Sequence, residues 1–501
     1  MTDTSAQDLW VGIDLGTQGV RALAVTGDGR LLGRGSAPLA GHRDGDRHEQ
    51  FPSDWWEGAC AALREALRAV RPARVRGVAV CATSGTVLLT DAGGTPLTPA
   101  LMYDDGRAAA EARTAQEAGA DVWDALGYRI QPSWALAKLL WLVRRADGGA
   151  GALRGARVCH QADFVTTRLV GRPVPTDSSH ALKTGYDLRG GGWPHAVHDE
   201  LGLAALDFPA VVAPGSVLGT VCARAAAVTG LAEGTPVVAG MTDGCAAQLG
   251  SGAWDIGQWN SVLGTTLVLK GVTARPLTDP AGVLYNHRAA DGNWLPGGAS
   301  SVGAGALARA FPGADLARLD RAAAAHEPSG VLSYPLVSRG ERFPFLAPDA
   351  EPFTLGTPAG DGDLHASLLQ GVAHVERLCL AYVRQLGARI EGPVAFTGGA
   401  TGSAYWNQLR ADVLGRQAVV PEHADPALGM AVLAAHGVGP ADGAGPAAWS
   451  DLRPMVRVRT TLDPRPEVSR RFDEPFVALV DAWERRGWLP APTAAYAREH
   501  G

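Results

Sequence analysis

The sequence predicts an α/β protein built from two like domains, and three observations carry that prediction. The first is a glycine-threonine turn that occurs twice, about 250 residues apart. It reads Val11-Gly12-Ile13-Asp14-Leu15-Gly16-Thr17-Gln18-Gly19-Val20 near the start and Trp259-Asn260-Ser261-Val262-Leu263-Gly264-Thr265-Thr266-Leu267-Val268 in the second half. In each copy one apolar run reaches Gly-Thr and another leaves it, the pattern of a strand, a tight turn and a returning strand. The second observation is an opening β-β-β-α-β order, unlike a Rossmann start, whose glycines lie between a strand and a helix. The third is size: 501 residues, 46% hydrophobic and 19% charged, suffice for two or three ordinary cores.

Strands are predicted over 9–15, 20–26 and 31–37, with Gly27-Asp28-Gly29 as the second turn. A helix over 52–70 follows, with Ser53 as its N-cap and Trp55, Cys60, Leu63 and Leu67 on one face. A short buried strand covers 75–82. In the second half, strands surround Gly264-Thr265, and a helix over 363–386 aligns Leu368, Val372, Val375, Cys379, Tyr382 and Leu386. The strand Val394–Thr397 runs into Gly398-Gly399-Ala400 and a helix beginning near Ser403. A last amphipathic helix aligns Phe472, Phe476, Leu479 and Trp483 and ends at Gly487. The 437–446 stretch reads as a surface loop. With a boundary near 250–255, the expected domains are 1–252, 253–440 and a C-terminal extension, 441–501.

Composition excludes several classes. No apolar run reaches the roughly 20 residues of a membrane-spanning helix. The polar start Met1-Thr2-Asp3-Thr4-Ser5 does not read as a signal peptide. Six scattered cysteines without metal spacing read as reduced thiols of a cytoplasmic protein. A net charge of −6 argues against nucleic-acid binding. Lysine occurs only at Lys138, Lys183 and Lys270, and no GxxxxGK[ST] segment exists. Phosphate binding must then rest on backbone amides, hydroxyls and a metal ion.

Five segments carry candidate chemistry. Gly16-Thr17 and Gly264-Thr265 offer free amides and a hydroxyl where a phosphate can approach the backbone. Asp14, just before the first turn, can hold Mg²⁺ directly or through water, or simply satisfy local amides. Asp243 ends an apolar run at Gly240-Met241-Thr242-Asp243-Gly244, where a carboxylate can take a hydroxyl proton, cap a helix, or do both. Gly398-Gly399-Ala400 lets a flat heterocycle lie against a helix N-terminus. The Ser338-Arg339-Gly340-Glu341-Arg342-Phe343-Pro344 turn reads equally as a solvated ion pair or a ligand contact.

Together these motifs resemble the FGGY carbohydrate kinases, from about Leu9 to His436. The resemblance implies two actin-like ATPase (ribonuclease H-like) domains with a central ATP and sugar cleft. By it Asp243 is the catalytic base and, with Asp14, a Mg²⁺ ligand. ATP is expected on Gly16, Thr17, Gly264, Thr265, Gly398, Gly399, Ala400 and Asn407, and sugar near Asp14, Gln18, Thr83, Ser84 and Asp243. Within the family the chain looks most like the D-ribulose kinases of cyanobacteria and plants. That likeness rests on His160-Gln161-Ala162-Asp163-Phe164, Ala181-Leu182-Lys183-Thr184-Gly185-Tyr186-Asp187, Asn293 to Ser300 and Tyr334-Pro335-Leu336. Where bacterial xylulose kinases carry Gln-Met-His-Gly, this chain reads Ala82-Thr83-Ser84-Gly85-Thr86. Gln18 and Cys81 depart from the pattern, standing for the usual serine and aspartate. The expected reaction is ATP-dependent phosphorylation of D-ribulose, with D-xylulose as the alternative and ribitol or an L-ketopentose below it. A nucleotide-gated regulatory protein is the remote alternative. The family likeness also admits a homodimer; no nucleic-acid or membrane partner is expected.

Overall fold

A computed structural model of the chain describes residues 8–146, 151–440 and 445–501. The polar start, residues 147–150, and residues 441–444 of the 437–446 loop lie outside the described residues. By packing the chain divides into two units. One holds Met1–Gly250, His287–Gly292 and His423–Arg457, and the other holds Ser251–Asn286, Asn293–Glu422 and Val458–Gly501.

The first unit is built on a six-stranded sheet in the order Val217–Thr220, Pro236–Val238, Val75–Ala82, Leu9–Leu15, Gly19–Thr26, Leu31–Pro38. The last three strands are an antiparallel meander, while Leu9–Leu15 runs parallel to Val75–Ala82. Near-continuous burial of Leu9, Val11, Ile13 and Leu15 follows from coverage on both faces. Helix Pro52–Leu67 covers one face, with Trp55 edge-on to Phe164 at 6.0 Å. Its N-cap is Phe51, whose side chain makes no capping bond, and Pro52 at the first helical position starts the helix; Ser53 is not the cap. The other face meets helix Pro426–Val438 at backbone distance. A Cβ on Gly12 would lie 1.7 Å from the Ala427 carbonyl oxygen, and one on Gly429 would lie 1.9 Å from that of Ala246. That close packing places 423–440, read from sequence as part of the second domain, in the first unit.

Six strands of a seven-stranded sheet lie wholly in the second unit, in the order Trp294–Ser300, Leu267–Gly271, Trp259–Leu263, Val394–Thr397, Ala418–Pro421, Val458–Leu462. The same scheme recurs: an antiparallel hairpin whose first strand runs parallel to a later strand. Helix Asp361–Gln385 packs on this sheet, with Leu369, Val372, Val375, Leu378 and Cys379 buried. Two tail helices, Asp473–Arg485 and Ala491–His500, add Phe476, Leu479, Trp483 and Ala494 to the same core. Gly487 follows the first of them in a left-handed conformation, φ 70°.

Among the described residues no helix is long and apolar enough to cross a membrane.

Candidate functional site

In the first unit Leu15 pairs with Val20, and the turn closes with Gly16 N–H donating to the Gly19 carbonyl at 3.0 Å. The Thr17 carbonyl accepts from Gln50 Nε2 at 2.7 Å, and Gln50 Oε1 accepts from Trp55 Nε1 at 2.7 Å, so the turn is anchored to the helix. The Gln18 carbonyl accepts from Leu39 N–H while its side chain stays exposed. Asp14 is buried, in register with Arg21 on one neighbour and Cys81 on the other. Burial, then the charges of Asp425 and Asp243, push its pKa up to about 7. Arg21, 3.4 Å away, and the Cys81 thiol oppose that rise only in part.

Asp243 opens helix Asp243–Gly250 and accepts the Gly244 N–H at 2.7 Å, so one carboxylate serves the helix end and stays half-buried. The residue before it is pinned: Thr242 N–H donates to Ser179 Oγ at 2.8 Å, and Ser179 Oγ donates to Asp177 at 2.6 Å. His180 Nδ1 bonds the other oxygen of Asp177. Lys183 Nζ donates to the Ser84 carbonyl at 3.1 Å; burial lowers its pKa to about 8 while Asp243 works the other way. Thr83 is buried, with its N–H and hydroxyl both on Gln161 Oε1 at 3.2 and 2.7 Å. Asp14, Thr83, Ser84 and Asp243 thus belong to one polar region of the first unit, whereas the Gln18 side chain faces solvent.

In the second unit Leu263 pairs with Leu267, and Gly264 N–H donates to Thr266 O at 3.0 Å. A third segment braces this turn: Ala304 and Gly305 N–H groups donate to the Gly264 and Thr265 carbonyls. A cavity of about 660 Å³ lies in the same unit, lined by Ala304, Ala317, Asp320, Gly399, Ala400 and Tyr405 among others. Cβ atoms added at Gly399 or Gly402 would meet nothing, so the turn leaves open space where a flat ligand can lie. Ser403 caps helix Ala404–Leu414 by accepting Trp406 N–H at 3.0 Å, and donates to Asp320 at 2.6 Å. His365 Nε2 holds the other Asp320 oxygen at 2.8 Å.

Two expectations change. Asn407 is not among the cavity-lining residues; its amide donates to the Thr401 carbonyl at 3.0 Å and supports the turn from behind. In the 338–344 turn Arg339 does form an exposed ion pair with Glu351, but Glu341 is neither solvated nor open to a ligand. That carboxylate is buried, accepting from Ser301 N–H at 2.7 Å, Ser300 Oγ and Tyr334 Oη at 2.9 Å each, and Arg342 N–H. A carboxylate so saturated is a structural knot.

The structure adds residues that sequence reading passed over. Asp425 caps helix Pro426–Val438 through Ala427 N–H and adds its charge to Asp14; the Asp-Pro pair was its signal. His180 and Asp177 stand beside the Asp243 segment, and no local pattern announces them. The Asp104-Asp105-Gly106-Arg107 loop joins Asp104 to His48 at 2.6 Å and Asp105 to Arg107 at 2.7 Å.

No group of three histidine, cysteine or acidic side chains able to hold a metal occurs among the described residues. Asp14 and Asp243 nonetheless fit Mg²⁺ of the kind that takes one or two carboxylates and completes its shell with water and phosphate oxygens. Burial is the main reason the Asp14 pKa is raised, and the charges of Asp425 and Asp243 add to it; a cation there would offset both.

Residues 9–250 match the N-terminal domain, and residues 259–438 the C-terminal domain, of the FGGY family of carbohydrate kinases. The chain is 32% identical over 440 residues to a xylulose kinase of Streptomyces rubiginosus, covering 85% of this chain and 87% of the relative. A xylulose kinase of Escherichia coli K12 is 27% identical over 440 residues, covering 85% and 89%. Among solved structures, a xylulose kinase from Rhodospirillum rubrum matches with a TM-score of 0.83 at 26% identity, covering 95% of this chain and 98% of that one.

Proposed function

On the premise that this chain belongs to the FGGY family of carbohydrate kinases and is an ATP-dependent sugar kinase, we propose that its acceptor is a free D-ketopentose phosphorylated at the terminal hydroxyl. The observation that carries the chemistry is Asp243, a half-buried carboxylate fixed at a helix start beside a region of buried donors. Asp243 takes the hydroxyl proton as that oxygen bonds to the γ-phosphorus, and the bond to the ADP oxygen breaks. The Gly16 and Gly264 amides close their own turns, so the Thr17 and Thr265 amides donate to phosphate oxygens, and the Gly398-Gly399-Ala400 cavity receives the adenosine. Held by Asp14 and Asp243, Mg²⁺ would supply charge neutralisation on the transferred group.

The relatives' names favour D-xylulose as the acceptor, ahead of the D-ribulose that the 82–86 segment suggests. D-ribulose remains the second reading because Thr83 and Ser84 stand where xylulose kinases place methionine and histidine. ADP release measured across D-xylulose, D-ribulose, L-ribulose and ribitol separates the two readings. Asp243→Ala is expected to cut sugar-dependent turnover about 10²–10⁴-fold. A folded variant with near-normal kcat would refute the base.

A further inference from the structure

Among the described residues of the first unit, four of the buried polar atoms without a hydrogen-bond partner lie on adjoining segments: Ser84 Oγ, Gln161 Nε2, Ser178 Oγ and His180 Nε2. Leaving such groups dry and unpaired is costly, so four on adjoining segments call for a ligand. They adjoin through bonds already described: Gln161 holds Thr83, next to Ser84, and Ser178 and His180 flank Ser179, which pins Thr242 beside Asp243. The His160 and His180 rings are 6.0 Å apart.

The free valences are of one kind. Gln161 Oε1 already accepts two bonds from Thr83, so its free nitrogen is a donor. His180 Nδ1 is held by Asp177, which leaves Nε2 as its free valence. Burial works against the charged ring, but Asp177, then Asp163 and Asp243, more than offset it and raise the His180 pKa above its ordinary value. A protonated ring presents Nε2–H as a charged donor, and the two serine hydroxyls can donate as well.

We propose that His180, with Gln161 and Ser84, receives the oxidised end of the substrate, a carbonyl or carboxylate oxygen, and so selects ketoses or aldonates over alditols. This rests on the reading of the Asp243 region as the sugar site. An alditol offers only a hydroxyl there, a weaker acceptor whose own proton must find another partner. A bond to a charged donor is worth about 10–100-fold in affinity.

Binding to the full chain without nucleotide, measured by titration calorimetry, tests the proposal with D-xylulose, D-ribulose, D-xylonate, xylitol and ribitol. Wild type should bind at least one oxidised sugar about 10–100-fold more tightly than its alditol. The ketose and aldonate arms show which oxygen is preferred. His180→Asn should shrink that gap to under about threefold by weakening the oxidised ligand and leaving the alditol nearly unchanged. Ser84→Ala breaks no existing side-chain bond and should weaken the oxidised ligand less. Facing His180 are Asp177, Asp163, Asp243 and the His160 ring. Because the ring is charged below its pKa, the wild-type preference should fade as pH rises past it, and the His180→Asn profile should be flat.

An equal loss on ketose and alditol, an unchanged gap, or no binding of any of the five sugars overturns the proposal. If circular dichroism shows His180→Asn unfolded, a wild-type preference constant with pH overturns it instead. A His180-dependent preference without ADP release on adding ATP would leave this inference standing and sink the kinase reading.

Discussion

The Gly16-Thr17 and Gly264-Thr265 turns share a plan and differ in what surrounds them. Two residues before each glycine, Asp14 and Val262 occupy matching positions. Asp14 lies between Arg21 and Cys81, and Val262 between Val268 and Thr397. The first position therefore carries a buried charge with its pKa pushed up to about 7, and the second an ordinary aliphatic contact. In the first unit, donors without partners lie on the segments next to Thr83 and Thr242; lining the second unit's cavity, Asp320 has both oxygens occupied. On the proposed assignment the first unit would carry the proton transfer, which needs carboxylates of perturbed affinity, and the second would receive the nucleoside, which needs shape and a few fixed polar groups.

Between the two turns, the largest expected effect tests whether the second is a cradle at all. A Cβ at Gly264 meets only the Thr266 carbonyl, 4.0 Å away, so the fold has room for a side chain. Gly264→Val should leave the melting temperature nearly unchanged while kcat/KM for ATP drops about 10²–10³-fold, the scale of losing a preorganised donor site. Gly12→Ala is the contrasting change, because its Cβ would strike the Ala427 carbonyl and destabilise the first unit. Unchanged ATP kinetics in Gly264→Val would remove the turn from the site.

Asp14 offers a test through pH. Its pKa is about 7 folded against 3.8 as an ordinary aspartate, so the folded state holds the proton more tightly. Stability therefore falls as pH climbs from 3.8 to 7 and levels off above. Asp14→Asn removes that penalty: its gain over wild type should be near zero at pH 4 and reach about 2–4 kcal/mol at pH 8, at about 1.36 kcal/mol per unit. Activity should fall as the melting temperature rises. Thermal melts from pH 4 to 8 check this, and a variant less stable than wild type at pH 8 would show that the Arg21 pair dominates. The matching substitution Val262→Asn has no charge to relieve and should show no pH-dependent gain.

Much of the fold was legible because its signals are local. Leu9–Leu15, Val75–Ala82 and Val394–Thr397 have the bounds that apolar runs between turn residues predict. Strand Val458–Leu462, exposed along most of its length, carries no apolar run and owes its place to pairing with Ala418–Pro421. The placement of 423–440 depends on glycine contacts that join residues hundreds of positions apart, and no window of sequence contains them. The site divides in the same way. Asp14, Asp243, the glycine turns and the Asp425 cap sit at ends of recognisable elements, whereas His180, Gln161 and the charge of Asp425 on Asp14 acquire meaning only from what tertiary folding brings together. Glu341 lies in a turn of charged residues, and four donors distant or adjacent in sequence turn it into core.

The smallest expected effect asks whether the second unit's cavity is finished before ligand arrives. Ser403 caps helix Ala404–Leu414 and donates to Asp320, which is fixed by His365 on its other side. Ser403→Ala removes the cap and one support of that carboxylate, at a cost of about 0.5–2 kcal/mol in stability. If Asp320 is held in place by both partners, ATP KM should rise by less than about tenfold with kcat retained, since 1.4 kcal/mol corresponds to a factor of ten. Thermal melts and ATP saturation curves give both numbers on one preparation. A kcat loss approaching that of Asp243→Ala would mean that this pair reaches the chemistry, and the division of labour between the two units would fail there.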